Sequence, residues 1–499
     1  MKYISTRSKD HVLLASQAII KGMAEDGGLF VPAEIPPIDT DLDTLSRMDY
    51  KTLAFYIMSK YLTDFTQEEL KTCIDLAYNE KFDTPFIAPL VQPGDTHFLE
   101  LFHGPTLAFK DMALSILPHL LKTSMQKQNI HKEVVILTAT SGDTGKAALE
   151  GFADVAGTRI MVFFPQDGVS EIQKLQMLTQ EGSNTFVAAI EGNFDDAQNA
   201  VKEIFNDKNL TQELDGKGFI LSSANSINIG RLIPQIVYYF YGYLTLLREE
   251  KITAGQGINV AVPTGNFGNI LAAYYAKKMG LPIQKLICAS NENNVLSDFL
   301  RTGVYDRRRM LYLTSSPSMD ILISSNLERL LYEISGRNEK QTRSLMQQLS
   351  AEGIYEIPDF MRAELGDFYG TYATEEEVFD AIKQVYESTD YVMDTHTAVA
   401  YSAYRKYKVE TGDASPFFIA STASPFKFGR DVSRAIGLDT SHPDDFEILE
   451  QLAETSGTEL PAAVRMLKTK PVLHHTITPK EQIKEIVKNY LGGEGDDQH

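Results

Sequence analysis

Cysteine is almost missing from this 499-residue chain: Cys73 and Cys288 are the only two, far apart and outside any C-x-x-C spacing. That excludes a disulfide framework and offers no thiolate cluster for zinc. Both read as reduced core residues of a cytoplasmic protein with no metal site. Basic residues are the minority, 47 Lys and Arg against 67 Asp and Glu, for a formal charge of −20. Such a surplus argues against nucleic acid or an anionic membrane as partner, because both repel it. An anion held here needs local attraction from helix N-termini and a few cations. Long apolar runs are lacking too. Met1 to Arg7 leads into no signal-peptide core. The most apolar stretch, Leu232 to Leu247, contains Pro234 and Gln235, is too short to span a bilayer, and reads as a buried helix.

Several familiar motifs are also missing. Ser141-Gly-Asp-Thr-Gly-Lys146 fails as a Walker A loop, because Thr140 stands where glycine is needed and Ala147 where Ser or Thr is needed. No G-x-G-x-x-G fingerprint and no G-x-S-x-G nucleophile elbow occur, and His396 has no partner at metal-ligand spacing.

What is present is an alternation of strand, small-residue loop and helix. Val134–Leu137, Arg159–Phe164, Phe186–Ile190, Phe219–Leu221, Ile258–Val262, Leu286–Ala289 and Phe417–Ala420 are short apolar runs of buried-strand character. Between them lie helical patterns, one capped by Ser170 and Gln173. The pattern predicts an α/β fold, two lobes of mostly parallel sheet covered by helices. We expect an N-terminal α/β unit over 1–90, a large lobe from 91–130 and 256–475, and a smaller α/β lobe over 131–255. A mostly helical insertion over 325–390 carries a capping box at Thr374 and Glu377. Residues 476–499 read as a last helix, opened at Thr478-Pro479 with Glu481 closing a capping box, and a tail.

Ligands of parallel sheets collect at the carboxyl ends of strands. Gly265-Asn-Phe-Gly-Asn269 stands at such an end, suited either to a phosphate on backbone N–H groups or to an asparagine-capped turn. The Ser141–Thr144 loop suits a carboxylate or phosphate, or simply caps a helix. Arg231, at the start of an apolar helix, either snorkels or binds an anion. Asp394-Thr-His396-Thr397 and Ser421 to Lys427 are two further polar loops. Lys110 lies between the apolar run Leu107-Ala-Phe109 and a helical segment. It is either a solvated surface residue or an amine whose proton affinity is lowered by apolar surroundings, fit to hold an aldehyde such as pyridoxal phosphate.

Seven segments stand together in chain order: Ala24–Pro32, Phe102-His-Gly-Pro-Thr-Leu-Ala-Phe-Lys-Asp111, Ser141-Gly-Asp-Thr-Gly145, Asn225-Ser-Ile-Asn228, Gly265-Asn-Phe-Gly-Asn269, Ser318–Ile321 with Ser324–Arg329, and Asp394-Thr-His-Thr397. As a set they resemble threonine synthase, a pyridoxal-phosphate family of fold type II. The resemblance implies that Lys110 is the Schiff-base lysine and that Gly265, Asn266, Phe267, Gly268 and Asn269 hold the cofactor phosphate. It also implies that a hydroxyl of the Ser421-Thr422 loop, assigned to Thr422, faces the pyridine nitrogen. The substrate it implies is O-phospho-L-homoserine, with its carboxylate on Ser141, Gly142, Asp143 and Thr144 and its phosphate on Ser226, Asn228 and Arg231, joined by Lys146. Where relatives carry Thr-Ala-His-Pro, this chain has Thr422-Ala-Ser424-Pro425. The expected reaction is γ-elimination of phosphate and β-addition of water to give L-threonine, by a monomer or homodimer in the cytoplasm. The alternatives are a phospho-lyase releasing 2-oxobutyrate and ammonia, and a cofactor-free binding homologue.

Overall fold

The structure, a computed structural model, describes residues 1–10, 12–140, 142–166 and 169–492. Its strands in chain order are β1 (Tyr3–Ser5), β2 (Phe30–Pro32), β3 (Leu90–Val91), β4 (Phe98–Glu100), β5 (Glu133–Ala139), β6 (Thr158–Pro165), β7 (Thr185–Glu191), β8 (Phe219–Ser222), β9 (Ile258–Pro263), β10 (Ile283–Ser290), β11 (Val304–Asp306), β12 (Ile354–Glu356), β13 (Phe368–Tyr372), β14 (Phe417–Ser421) and β15 (Thr476–Pro479). Every expected apolar run is one of these strands. They form a six-stranded sheet, β13-β10-β9-β14-β4-β3, and a five-stranded sheet, β15-β7-β6-β5-β8. All pairings in the two sheets are parallel except β3 with β4. Parallel strands covered on both faces need no polar alternation, and β9 is buried at every position.

Helix ends follow the local signals. Thr66 with Glu69 and Thr374 with Glu377 form reciprocal capping boxes, and Ser170 accepts from the Gln173 N–H. Ile229–Arg248 is a helix capped by Asn228 and buried from Ile229 through Leu246, as its composition requires. It packs against the helices Tyr50–Tyr61 and Gly268–Lys278, tying the N-terminal unit to the larger sheet. No helix among the described residues is long and apolar enough to cross a membrane.

Two elements differ from expectation. Within 325–390, β13 pairs in register with β10 at the edge of the larger sheet, and β12 pairs antiparallel with β11, the helices Leu327–Ile334 and Glu339–Glu352 lying between them in the chain. Thr478-Pro479 does not open the last helix. It ends β15, which adds to the edge of the smaller sheet beside β7, and a 3-10 turn over Lys480–Gln482 precedes the helix Ile483–Gly492. Proline, lacking an N–H, is tolerated on such an edge strand. The tail from 493 onward lies outside the described residues.

Candidate active site

Strand ends bring the site together. The loop after β4 carries Lys110, and Asp111 shapes it. The Thr106 N–H and hydroxyl donate to the two Asp111 carboxylate oxygens at 2.8 and 2.6 Å. A Cβ on Gly104 would come 2.5 Å from the Asp111 side chain, so only glycine admits this fold of the loop. The loop is zipped to the one after β14: the Phe109 N–H donates to Thr422 O at 2.8 Å and the Ser424 N–H to Leu107 O at 3.0 Å. Burial pushes the Asp111 carboxyl up to about 6.

Lys110 is 11% exposed. Its Nζ lies 3.3 Å from Asp143 Oδ2 and 3.4 Å from Ser318 Oγ, with the Phe109 ring 5.1 Å away. Burial lowers its proton affinity from the ordinary lysine range; Asp143 opposes that and Lys427 adds to it. Asp143 is the centre of the cluster. Oδ2 also accepts from Ser318 Oγ at 2.8 Å, while Oδ1 accepts from Gln173 Nε2 at 2.9 Å and lies 3.1 Å from Lys427 Nζ. Burial alone would raise its carboxyl, but Lys427 and Lys110 outweigh burial and hold it far below the usual range. His396 Nε2 accepts from the Ser318 N–H at 3.2 Å, and its Nδ1 lies 2.8 Å from Asp394 Oδ2. His396 therefore orients the serine loop. A cavity of about 760 Å³ between the lobes touches the cluster at Gln173 and Lys427, with Ile172, Leu311, Phe428 and Leu449 on its walls.

The cradle loop after β9 leaves donors that suit an anion. Phe267 takes a left-handed conformation, φ 61°, and begins the helix Gly268–Lys278 without a side-chain cap. The first-turn N–H groups are thereby left for another acceptor. A Cβ on Gly265 would sit 2.7 Å from Ser318 O. Asn269 accepts from the Tyr238 and Tyr239 hydroxyls at 2.5 Å each, yet its buried Nδ2 has no partner among the described residues. Asn326 braces the cradle, its N–H and Nδ2 reaching Asn266 O at 3.1 and 3.0 Å, and its Nδ2 reaching Ser226 Oγ at 3.3 Å.

Arg231 is 3% exposed and, among the described residues, has one acceptor: Nη1 donates to Ala224 O at 2.9 Å, while Nε has none and no carboxylate pairs with it. Burial pushes its proton affinity down to about 10. A buried cation left without an anion costs free energy unless it binds one. Arg231 Nε and Asn269 Nδ2, two orphaned buried donors, together with the uncapped helix start, fit a cofactor and a substrate that both carry phosphate.

Not every expected contact is met. Ser141 lies outside the described residues. Gly142 and Thr144 lie where the loop after β5 enters the helix Asp143–Phe152; the Asp143 side chain, itself an acceptor paired to two lysines, cannot seat a carboxylate, which leaves the backbone N–H groups of that first turn. Asn228 uses both ends of its amide structurally, Oδ1 accepting from the Gly230 N–H and Nδ2 donating to Ile19 O, each at 2.9 Å. Lys146 turns to Gln180 Oε1 at 2.5 Å and Glu150 Oε2 at 3.4 Å. Thr422 is buried beside Lys110's loop. Lys427, Ser318, Gln173 and Asn326 adjoin the cluster and the cradle although sequence reasoning gave them no part in a site, Gln173 being read only as a helix cap. Lys427, Ser318 and Asn326 lie in stretches already singled out, and their position there was the available signal.

Two lobes of parallel sheet, a buried lysine between them and an uncapped Gly-Asn cradle define a pyridoxal-phosphate-dependent enzyme of fold type II. Residues 2–78 match the family model described as threonine synthase N terminus, 96–358 that of pyridoxal-phosphate dependent enzymes, and 397–471 that of threonine synthase, C-terminal. The chain belongs to the threonine synthase family. It is 39% identical over 483 residues to threonine synthase-like 1 of Macaca fascicularis, covering 94% of this chain but 63% of that relative, less than two thirds of its length. Threonine synthase of Saccharomyces cerevisiae is 36% identical over 486 residues, covering 91% of this chain and 93% of the yeast protein. The crystal structure of pyridoxal-phosphate-bound threonine synthase from Brucella melitensis superposes with a TM-score of 0.88 at 36% identity, covering 99% of this chain and 100% of that one.

Proposed function

We propose that the chain converts O-phospho-L-homoserine and water to L-threonine and phosphate, acting in the cytoplasm, where its two buried free cysteines stay reduced. The observation that carries the reading is the juxtaposition of Lys110, with lowered proton affinity, and Arg231, a buried cation without an anion among the described residues. Pyridoxal phosphate, when bound, supplies an aldehyde that captures amines and a ring that delocalises the electron pair left at the substrate's Cα. Gly265 to Asn269 would hold its phosphate, Lys110 its aldehyde, and Thr422 would offer a hydroxyl to its ring nitrogen. A hydroxyl there does not enforce protonation of that nitrogen.

Lys110 Nζ, as a free amine, takes the proton from Cα and passes it to the substrate phosphate, then takes one from Cβ and returns it to Cγ after phosphate has left. Its burial keeps the neutral amine accessible for those transfers. Arg231 and Ser226 hold the leaving phosphate, whose charge grows as the Cγ–O bond breaks. The first-turn N–H groups of Asp143 and Thr144 receive the substrate carboxylate. Water then adds its hydroxyl at Cβ, and the proton it gives up is carried by Lys110 to Cα.

Borohydride reduction of the loaded protein, followed by peptide mapping, should place the cofactor on Lys110. Lys110→Ala should lose both that adduct and phosphate release. An adduct on another lysine, or full turnover by the variant, contradicts the assignment.

A further inference from the structure

Lys427 takes no part in the chemistry above, yet it is the most deeply buried ammonium of the cluster. It sits in the 3-10 turn Pro425–Phe428 after β14, a turn capped by Ser424 Oγ, which accepts from the Phe426 N–H. Ser424 thus fixes the turn that presents the lysine. The Lys427 side chain is 0% exposed, and its Nζ donates to Thr106 O at 2.6 Å and lies 3.1 Å from Asp143 Oδ1. The other oxygen of the same carboxylate lies 3.3 Å from Lys110 Nζ. Two ammonium groups therefore share one counter-ion. Asp143 and Gln173 come from the smaller lobe, and both lysines and Ser318 lie outside its sheet, so the bridge also spans the lobes.

We propose that Lys427 is a positioning residue that, through Asp143, sets how readily Lys110 takes up and releases its proton. This rests on the reading of Lys110 as proton carrier. With Lys427 in place, Asp143 presents Lys110 with half of a neutralised pair. Without it, the full carboxylate charge falls on Lys110 and keeps the amine protonated to higher pH. The other charged or titratable groups facing the cluster are Arg231, on the Lys110 side, His396, behind Ser318, and Asp111, beside Thr106. Arg231 adds to the lowering of Lys110, and none of these replaces Lys427 as Asp143's partner.

The test uses Lys427→Gln, which removes the charge but keeps N–H groups for the Thr106 carbonyl. In the full-length chain freed of cofactor, the pH midpoint for acetylation of Lys110, read by peptide mass spectrometry, should rise by about one unit, a tenfold loss of neutral amine at neutral pH. In the loaded protein, the acid limb of kcat/KM should move in the same direction. Lys427→Arg, which keeps the charge, should restore the parent's midpoint. Asp143→Asn should move it the other way, downward. If Lys427→Gln alone does not fold, Asp143→Asn with and without Lys427→Gln carries the test: the route through Asp143 is then gone, so the second substitution should move the midpoint little, and a further rise of a full unit overturns the proposal. A folded Lys427→Gln single variant with an unmoved Lys110 midpoint also overturns it. Because the labelling needs no substrate, that result leaves the threonine-forming reading standing, whereas failure to form threonine with a shifted midpoint overturns only that reading.

Discussion

Replacing His103 by glutamine should remove a stabilisation that fades as pH rises. His103 lies in the loop between β4 and Lys110, its Nδ1 2.6 Å from Asp83 Oδ1 and its Nε2 2.9 Å from Glu100 Oε2. Burial works to lower its proton affinity, but hydrogen bonds to Asp83 and Glu100 outweigh burial and raise it from 6.5 to about 9. A group whose affinity is higher in the folded state contributes fully below its unfolded value, near 6.5, and its contribution is lost as pH rises through about 9. At about 1.4 kcal/mol per pH unit the ceiling is about 3 kcal/mol. Asp83 is 60% exposed, so solvent screening reduces the expectation to about 2 kcal/mol. Urea unfolding of parent and His103→Gln at pH 6, 8 and 10 measures it. The gap should be largest at pH 6, smaller at 8 and close to that of one neutral hydrogen bond at 10. A gap constant across that range, or widening with pH, refutes the reasoning.

Other substitutions separate binding from scaffolding. Arg231→Met should lower kcat/KM about a hundredfold or more through lost stabilisation of the leaving phosphate. It should leave thermal stability unchanged or raised, because it removes a buried cation that has no ion-pair partner among the described residues; steady-state kinetics and melting read the two effects apart. Asn228→Ala should do the opposite, costing about 1 kcal/mol as a lost helix cap and shifting KM by no more than about twofold. Gly265→Ala should weaken cofactor binding by about tenfold or more in a spectroscopic titration, since the added Cβ would press on Ser318 O, 2.7 Å away.

Seven of the eleven strands in the two sheets were legible because buried parallel strands show as continuous apolar runs, as in Ile258–Val262, whereas the short antiparallel pair β3 and β4 was not. β13, Phe-Tyr-Gly-Thr-Tyr, was not, since it stands at an edge, lies between helices in the chain and has no aliphatic run. β15 was hidden by Thr478-Pro479, which imitates a helix start, and its pairing with β7 is a contact distant in the chain. At the site, strand-end loops could be found from residue type and position. Side-chain direction could not. Asn228 and Lys146 sit in the right loops but turn to Ile19, Gln180 and Glu150. Lys427 went without a role because lysine is rarely buried without a partner, and its partner, Asp143, is far away in sequence.

The most direct measurement is product analysis with O-phospho-L-homoserine as sole substrate and the cofactor-loaded protein as catalyst. The account predicts L-threonine and inorganic phosphate in equal amounts, with the threonine hydroxyl oxygen taken from labelled water. Accumulation of 2-oxobutyrate and ammonia with the phosphate, or no phosphate release at all, would contradict it.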